Sequence, residues 1–281
     1  MNHEFITFPR TFEKYKWYKP ILVLIVGAII YLILQIVVFM IFGSIYGIDN
    51  VFTAISGGYD ALDSSDVVSY LSYLSVAIFI PSLYLASRVV RDRPFSSYAS
   101  SCGGWRWKIF FKAVINPFVL YLVYSIITIL INGKEGYSEV SSVGLVICLI
   151  LIPLQCIAEE YVFRGFLMQT FGSWFKIPVV SIIAQAVIFA AGHPYDLLGV
   201  LDIFIVGVIL RVLAHKTNGL EVGSALHSIN KLSIFYFVAL GFEVSSSTVS
   251  VVDFVSGIVL AGVSAVLIYY FGSKYDWFND S

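Results

Sequence analysis

Residues 145–171 read LVICLILIPLQCIAEEYVFRGFLMQTF, an apolar run long enough to cross a bilayer that carries Glu159, Glu160 and Arg164 in its middle. One spanning helix needs roughly 20 apolar residues. Ionisable groups inside such a run cost several kcal/mol unless they pair or face a cavity, so the three charges mark either a structural cluster or a functional site. Glu160 and Arg164 are four apart and lie one above the other on a helix, where they form an ion pair. Glu159 is turned about 100° away, which leaves its carboxylate available as a better base than an exposed one.

The rest of the chain has the same character. Its 281 residues are 59% hydrophobic and only 12% charged, with a mean hydropathy of +0.88, whereas a soluble domain carries about 25% charged residues. The length holds about eight spans with short connections, which we place at 21–42, 70–86, 110–131, 143–167, 177–192, 197–213, 222–240 and 251–271. The expected fold class is an all-α polytopic membrane protein forming a single transmembrane domain over 1–281. The first apolar run is longer than a signal-peptide core and reads as a retained helix. Cys102, Cys148 and Cys156 show neither metal-ligand nor disulfide-framework spacing. No internal repeat is evident, and no nucleic-acid partner is expected.

Charge is distributed unevenly over the connections. Asp49, Asp60, Asp63 and Asp66 lie between the first two spans without a Lys or Arg, while Arg88, Arg91, Arg93, Arg106, Lys108 and Lys112 lie in or beside the next connection. Lys134, Lys176, Lys274, and the pair Arg211 and Lys216 complete an alternation that predicts both termini on the cytoplasmic side of the cell membrane. The segment 91–107, with RDRPF and two Trp, reads as an interfacial loop, or else a docking surface.

Two further spans carry polar residues. The fifth ends QAVIFAAGHPYD, with Phe189 and His193 on one face where Pro194 breaks the helix. The seventh begins EVGSALHSINKL, with His227 followed about one turn later by Asn230 and Lys231. Glu221 is expected to open that helix, at the positive end of its dipole. Asp196, Asp202 and Asp253 read as loop or helix-start residues, the first two with the option of orienting an imidazole. His215 and His3 receive no role.

Glu159-Glu160-x-x-x-Arg164, Phe189-x-x-x-His193 and a third motif beginning at His227, in that order, resemble the CPBP (Abi) family of intramembrane proteases, which includes the CAAX prenyl endopeptidases. The resemblance covers residues 140–240 and implies a CAAX-protease-like core and hydrolysis of a peptide bond in a membrane-delivered peptide or lipidated protein, with membrane lipid as surroundings. Glu159 would take the proton of the attacking water, His193 would hold that water, His227 and Asn230 would stabilise the oxyanion, and Glu160 with Arg164 would clamp the helix. The alternative makes Glu159, His193 and His227 ligands of zinc, although no HExxH is present. The family pattern has Asn four residues after the third-motif His. Here that position is Lys231, which either replaces the donor or marks a catalytically silent scaffold or immunity-type protein. A transporter is the reading from another class.

Depth sets a geometric condition. His193 lies roughly 25 Å along its helix from Lys176, and His227 about 16 Å from Lys216, at 1.5 Å per residue. The two meet only if the fourth and fifth helices extend beyond the bilayer or the fifth tilts strongly. A separation of the imidazoles above about 12 Å would break a shared site.

Overall fold

The computed structural model describes residues 4–56, 65–133, 140–243 and 246–279; His3, Asp60, Asp63 and Lys134 lie outside the described residues. Apart from isolated bridge residues, among them Ser100 paired with Gly219, the regular structure among these residues is helical. The helices are α1 (Lys19–Tyr46), α2 (Ile48–Ser56), α3 (Asp66–Ala77), α4 (Phe79–Val90), α5 (Ser96–Ala99), α6 (Trp107–Asn132), α7 (Ser142–Glu160), α8 (Gln169–Phe175), α9 (Pro178–Ala191), α10 (Leu197–Thr217), α11 (Glu221–Ala239) and α12 (Val251–Lys274). A π-helical stretch, Tyr161–Met168, joins α7 to α8.

All eight expected segments are helical, and six are long and apolar enough to span. The second of these, Asp66–Val90, breaks at Ile78 into α3 and α4. Pro81 supplies the reason, because it lacks the N–H that would bond back to the Ala77 carbonyl across the junction; beyond it the Ser82 amide and hydroxyl both donate to the Ile78 carbonyl, at 3.1 and 2.7 Å. The two segments outside the six are α9, with 14 residues, and α11, whose Ser, His, Asn and Lys residues lower its hydropathy. Neighbours hold α11 in place: it packs against α6, α7, α10 and α12. By contrast α1 is apolar all round and leaves Leu32, Ile36 and Met40 exposed, the mark of a helix solvated by lipid.

The run from Ser142 to Phe175 is 34 residues long, about 50 Å at 1.5 Å per residue, against a hydrocarbon core of about 30 Å. Its start is fixed by Ser141, which caps Gly144 N at 3.0 Å while its own amide and hydroxyl donate to Asp66 at 3.0 and 2.6 Å. Its far end is clasped by the N-terminal segment. Phe5 and Ile6 are fully buried, Ile6 fills the space where Gly172 has no side chain, Arg10 donates to the Ser173 carbonyl at 3.2 Å, and Trp174 donates to the Trp17 carbonyl at 2.8 Å. The fourth helix therefore exceeds the length of a span, and the 14 residues of α9 bring Phe189, near its C-terminal end, to 4.5 Å from Arg164.

The segment 91–107 is more deeply engaged than an interfacial loop requires. Asp92 and Arg93 are buried and pair at 3.6 Å. Arg93 lies 3.6 Å over the Tyr98 ring, donates to the Gly165 carbonyl of the π-helical stretch at 3.1 Å and bonds Gln169. Burial, opposed by the Arg93 cation, pushes the Tyr98 phenol up to about 12, so its hydroxyl stays protonated and donates to Asp92 at 3.4 Å. Arg106 forms a two-pronged bond with Glu221, at 3.0 and 2.8 Å, where α11 opens. Asp196 caps α10 by accepting from Gly199 N at 2.9 Å, and Ser250, bonded to Asp253, caps α12.

Candidate active site

The α7 helix ends on the two glutamates, and the widened turn begins at the next residue. π-Bulges of this kind are frequent at functional sites because they open the helix and redirect its side chains. Here Arg164 still reaches back to Glu160, Nη1 to Oε1 at 3.1 Å, with both side chains fully buried. Gly223 of α11 permits this depth, since a Cβ there would come within 3.3 Å of Glu160 Oε2.

His227 enters from α11 and joins the pair. Its Nδ1 lies 3.0 Å from Glu160 Oε1 and its Nε2 3.5 Å from Glu159 Oε2, so one imidazole spans both carboxylates. Glu159 is the more open of the two, with 11% of its side chain exposed against none for Glu160. The available carboxylate is thus Glu159, but it has His227 beside it.

Phe189 is the hub on α9. Its ring is 4.8 Å from His193 and 6.4 Å from His227, so the imidazoles are no farther apart than those two steps end to end, inside the 12 Å condition. Arg164 sits 4.5 Å and Arg211 5.5 Å from the same ring. His193 Nδ1 lies 2.8 Å from the Phe189 carbonyl; as the donor there it keeps Nε2 unprotonated, a lone pair for water or a proton. Glu159 and Lys231 are both near enough to His193 to act on its charge.

Arg211 is a correction to the reading of the chain. Counted among the basic residues of a connection, it is instead fully buried in α10, bonding the Gln185 side chain and, at 3.3 Å, the Gln185 carbonyl. Its field adds to that of Arg164 around Glu160. The signal was present, an Arg in IVGVILRVL, and the test applied to Glu159 would have found it.

The third motif divides. Asn230 sits beside the Tyr121 hydroxyl of α6, on which Asp202 also acts. Lys231, one turn beyond His227, holds its Nζ 5.8 Å over the Tyr73 ring of α3. Of the residues named for the zinc alternative, Glu159 and His227 lie 3.5 Å apart, the Phe189 ring contacts both imidazoles, and among the described residues no three His, Cys, Asp or Glu gather as a ligand set.

Residues 141–233 match the family described as Rce1-like, type II CAAX prenyl endopeptidase. The chain is 26% identical over 181 residues to the uncharacterized protein YyaK of Bacillus subtilis (strain 168), the match covering 60% of each chain, so it spans about 60% of that relative's length. No solved structure matches. The matched stretch takes in Glu159, Glu160, Arg164, His193 and His227.

Proposed function

We propose that the chain is an intramembrane endopeptidase that hydrolyses a peptide bond of a membrane-delivered peptide or lipidated protein with water activated by Glu159. One observation carries this reading: His227 reaches across from α11 to face both carboxylates, with the ion-paired Glu160 holding one nitrogen and Glu159 facing the other. A purely structural cluster needs only the Glu160–Arg164 pair.

In the proposed sequence, Glu159 takes a proton from water as the oxygen attacks the scissile carbonyl, and the His193 lone pair accepts the other water hydrogen. The carbonyl oxygen becomes an oxyanion. On collapse the C–N bond breaks, and the amine leaves with the proton that Glu159 held. Positive charge for the oxyanion comes from His227 and, in the role the resemblance gave to Asn230, from the Lys231 ammonium. Lys231→Met is expected to lower kcat about 10²-fold, with Lys231→Asn retaining more activity and Asn230→Ala close to wild type; reporter-peptide turnover checks the ranking, and an Asn230→Ala loss exceeding that of Lys231→Met would reverse the assignment.

The reaction is proposed to run without a metal ion. Purified protein in detergent, offered prenylated and membrane-anchored reporter peptides, is expected to cleave equally before and after exhaustive chelation. Activity lost with chelator and restored by zinc would replace this mechanism with the metal-dependent one.

The basic residues also suggest an orientation. Arg10 and Trp17 contact the α8 end, and the Phe278 carbonyl lies 3.4 Å from Arg106, so both chain ends are tied to segments bearing Lys and Arg. We assign that end to the cytoplasmic face of the cell membrane.

A further inference from the structure

Where the end of α4 meets the start of α1, the N-terminal segment and residues 91–95 enclose a cavity of about 570 Å³. Lys14, Arg88 and Arg91 line it together with Tyr84 and Phe95. The buried Arg93 also borders the cavity, but its charge is met by Asp92 at 3.6 Å. The remaining three cations face a single further acid, Glu13, and among the described residues no hydrogen bond or ion pair engages the side chains of Lys14, Arg88 or Arg91. The cavity is thus an uncompensated positive site. Lys19 ties its two walls together by donating from Nζ to the Arg91 carbonyl at 3.2 Å.

Its position relative to the apolar surface is equally specific. Tyr84, Leu85 and Val89, on the same helix as Arg88, are 43%, 43% and 65% exposed, an apolar rail leading from the cavity along α4. Trp17 and Tyr18, at the start of α1, are 67% and 44% exposed, as expected of rings at headgroup level. A ligand fitting both parts has an anionic head and an apolar tail. Basic pockets between membrane helices on the cytoplasmic side bind phosphate-bearing lipid headgroups in this manner.

We propose that this cavity binds the headgroup of an anionic phospholipid, its phosphate among Lys14, Arg88 and Arg91 and its acyl chains along Tyr84, Leu85 and Val89. A quaternary ammonium headgroup is disfavoured by the three cations. The proposal is independent of proteolysis, because none of these residues touches the glutamates or the imidazoles.

The test is lipid binding to the purified full-length protein, by native mass spectrometry and by equilibrium competition in detergent with dioleoyl phosphatidylglycerol and dioleoyl phosphatidylcholine. Wild type is expected to prefer phosphatidylglycerol by about 10²-fold, since each Lys or Arg near such a headgroup contributes about fivefold. Arg88→Gln/Arg91→Gln is expected to bring the preference down to about fivefold, with Lys14→Gln in between. The exposed positions leave folding intact, which an unchanged melting temperature verifies. A double variant that keeps the wild-type preference, or equal binding of the two lipids by wild type, overturns the proposal. Displacement of the lipid by micromolar inorganic phosphate or glycerol phosphate would also overturn it, assigning the cavity to a soluble phosphate; retention against millimolar concentrations supports the lipid.

Discussion

Glu159→Gln is expected to lower the proposed peptide cleavage by about 10²- to 10⁴-fold, the contribution of a positioned general base, and to leave the melting temperature near that of wild type. The substitution keeps volume and shape but removes the lone pair that receives the water proton. Stability is spared because Glu159 contributes no strong ion pair: His227 lies 3.5 Å from it and bonds Glu160 more closely. The comparison is made with purified wild type and variant on a panel of prenylated and membrane-anchored reporters. Unchanged cleavage in the variant would remove Glu159 from the mechanism. A folded wild type that cleaves no member of a broad panel would favour a silent scaffold on the same fold, a reading to which Lys231 at the usual Asn position lends support.

Arg164→Met acts in the opposite way, on the fold first and the chemistry second. Glu160 and Arg164 are both fully buried and 3.1 Å apart, so removing the cation strands a carboxylate in low dielectric. Breaking such a pair costs about 3–5 kcal/mol, whereas removing both charges together is often close to neutral. The double variant Glu160→Gln/Arg164→Met is therefore expected to recover much of the stability lost by Arg164→Met alone. Chemical unfolding in mixed micelles measures the cycle. Additive losses would show that the pair is not coupled, and a cost below about 1 kcal/mol would show that water reaches it.

Why some of this is legible in sequence and some is not follows from the physics of each feature. An embedded charge is visible because hydrocarbon tolerates so few, which is how Glu159, Glu160, Arg164, His193 and His227 stand out before any coordinates. The widened turn at Tyr161–Met168 leaves no such mark: YVFRGFLM fits an ordinary helix equally well, and the cause is tertiary, with Arg93 taking the Gly165 carbonyl from a distant part of the chain. Arg211 reads as a loop cation because it lies near Lys216 and the end of α10, where a long side chain usually points to water. Asn230 and Lys231 differ by about 100° around their helix, and only packing decides which faces α3 and which α6. The break at Ile78 was written in Pro81, but its effect depends on whether the following residues resume the helix.

The shortness of α9 bears on how the protein is made. Fourteen residues fall below the length at which lipid alone holds a helix across the bilayer. The turn that follows is acceptable inside a membrane only because its backbone donors are occupied, the Asp196 amide by the Ser247 carbonyl at 3.0 Å, from a segment synthesised about fifty residues later. During synthesis α9 therefore has no resting place of its own until α10, α11 and the segment preceding α12 have emerged. His193 and Glu159 come into register at that late stage, so under the proposed function a growing chain still threading through its insertion machinery carries no finished centre with which to cut itself or its neighbours.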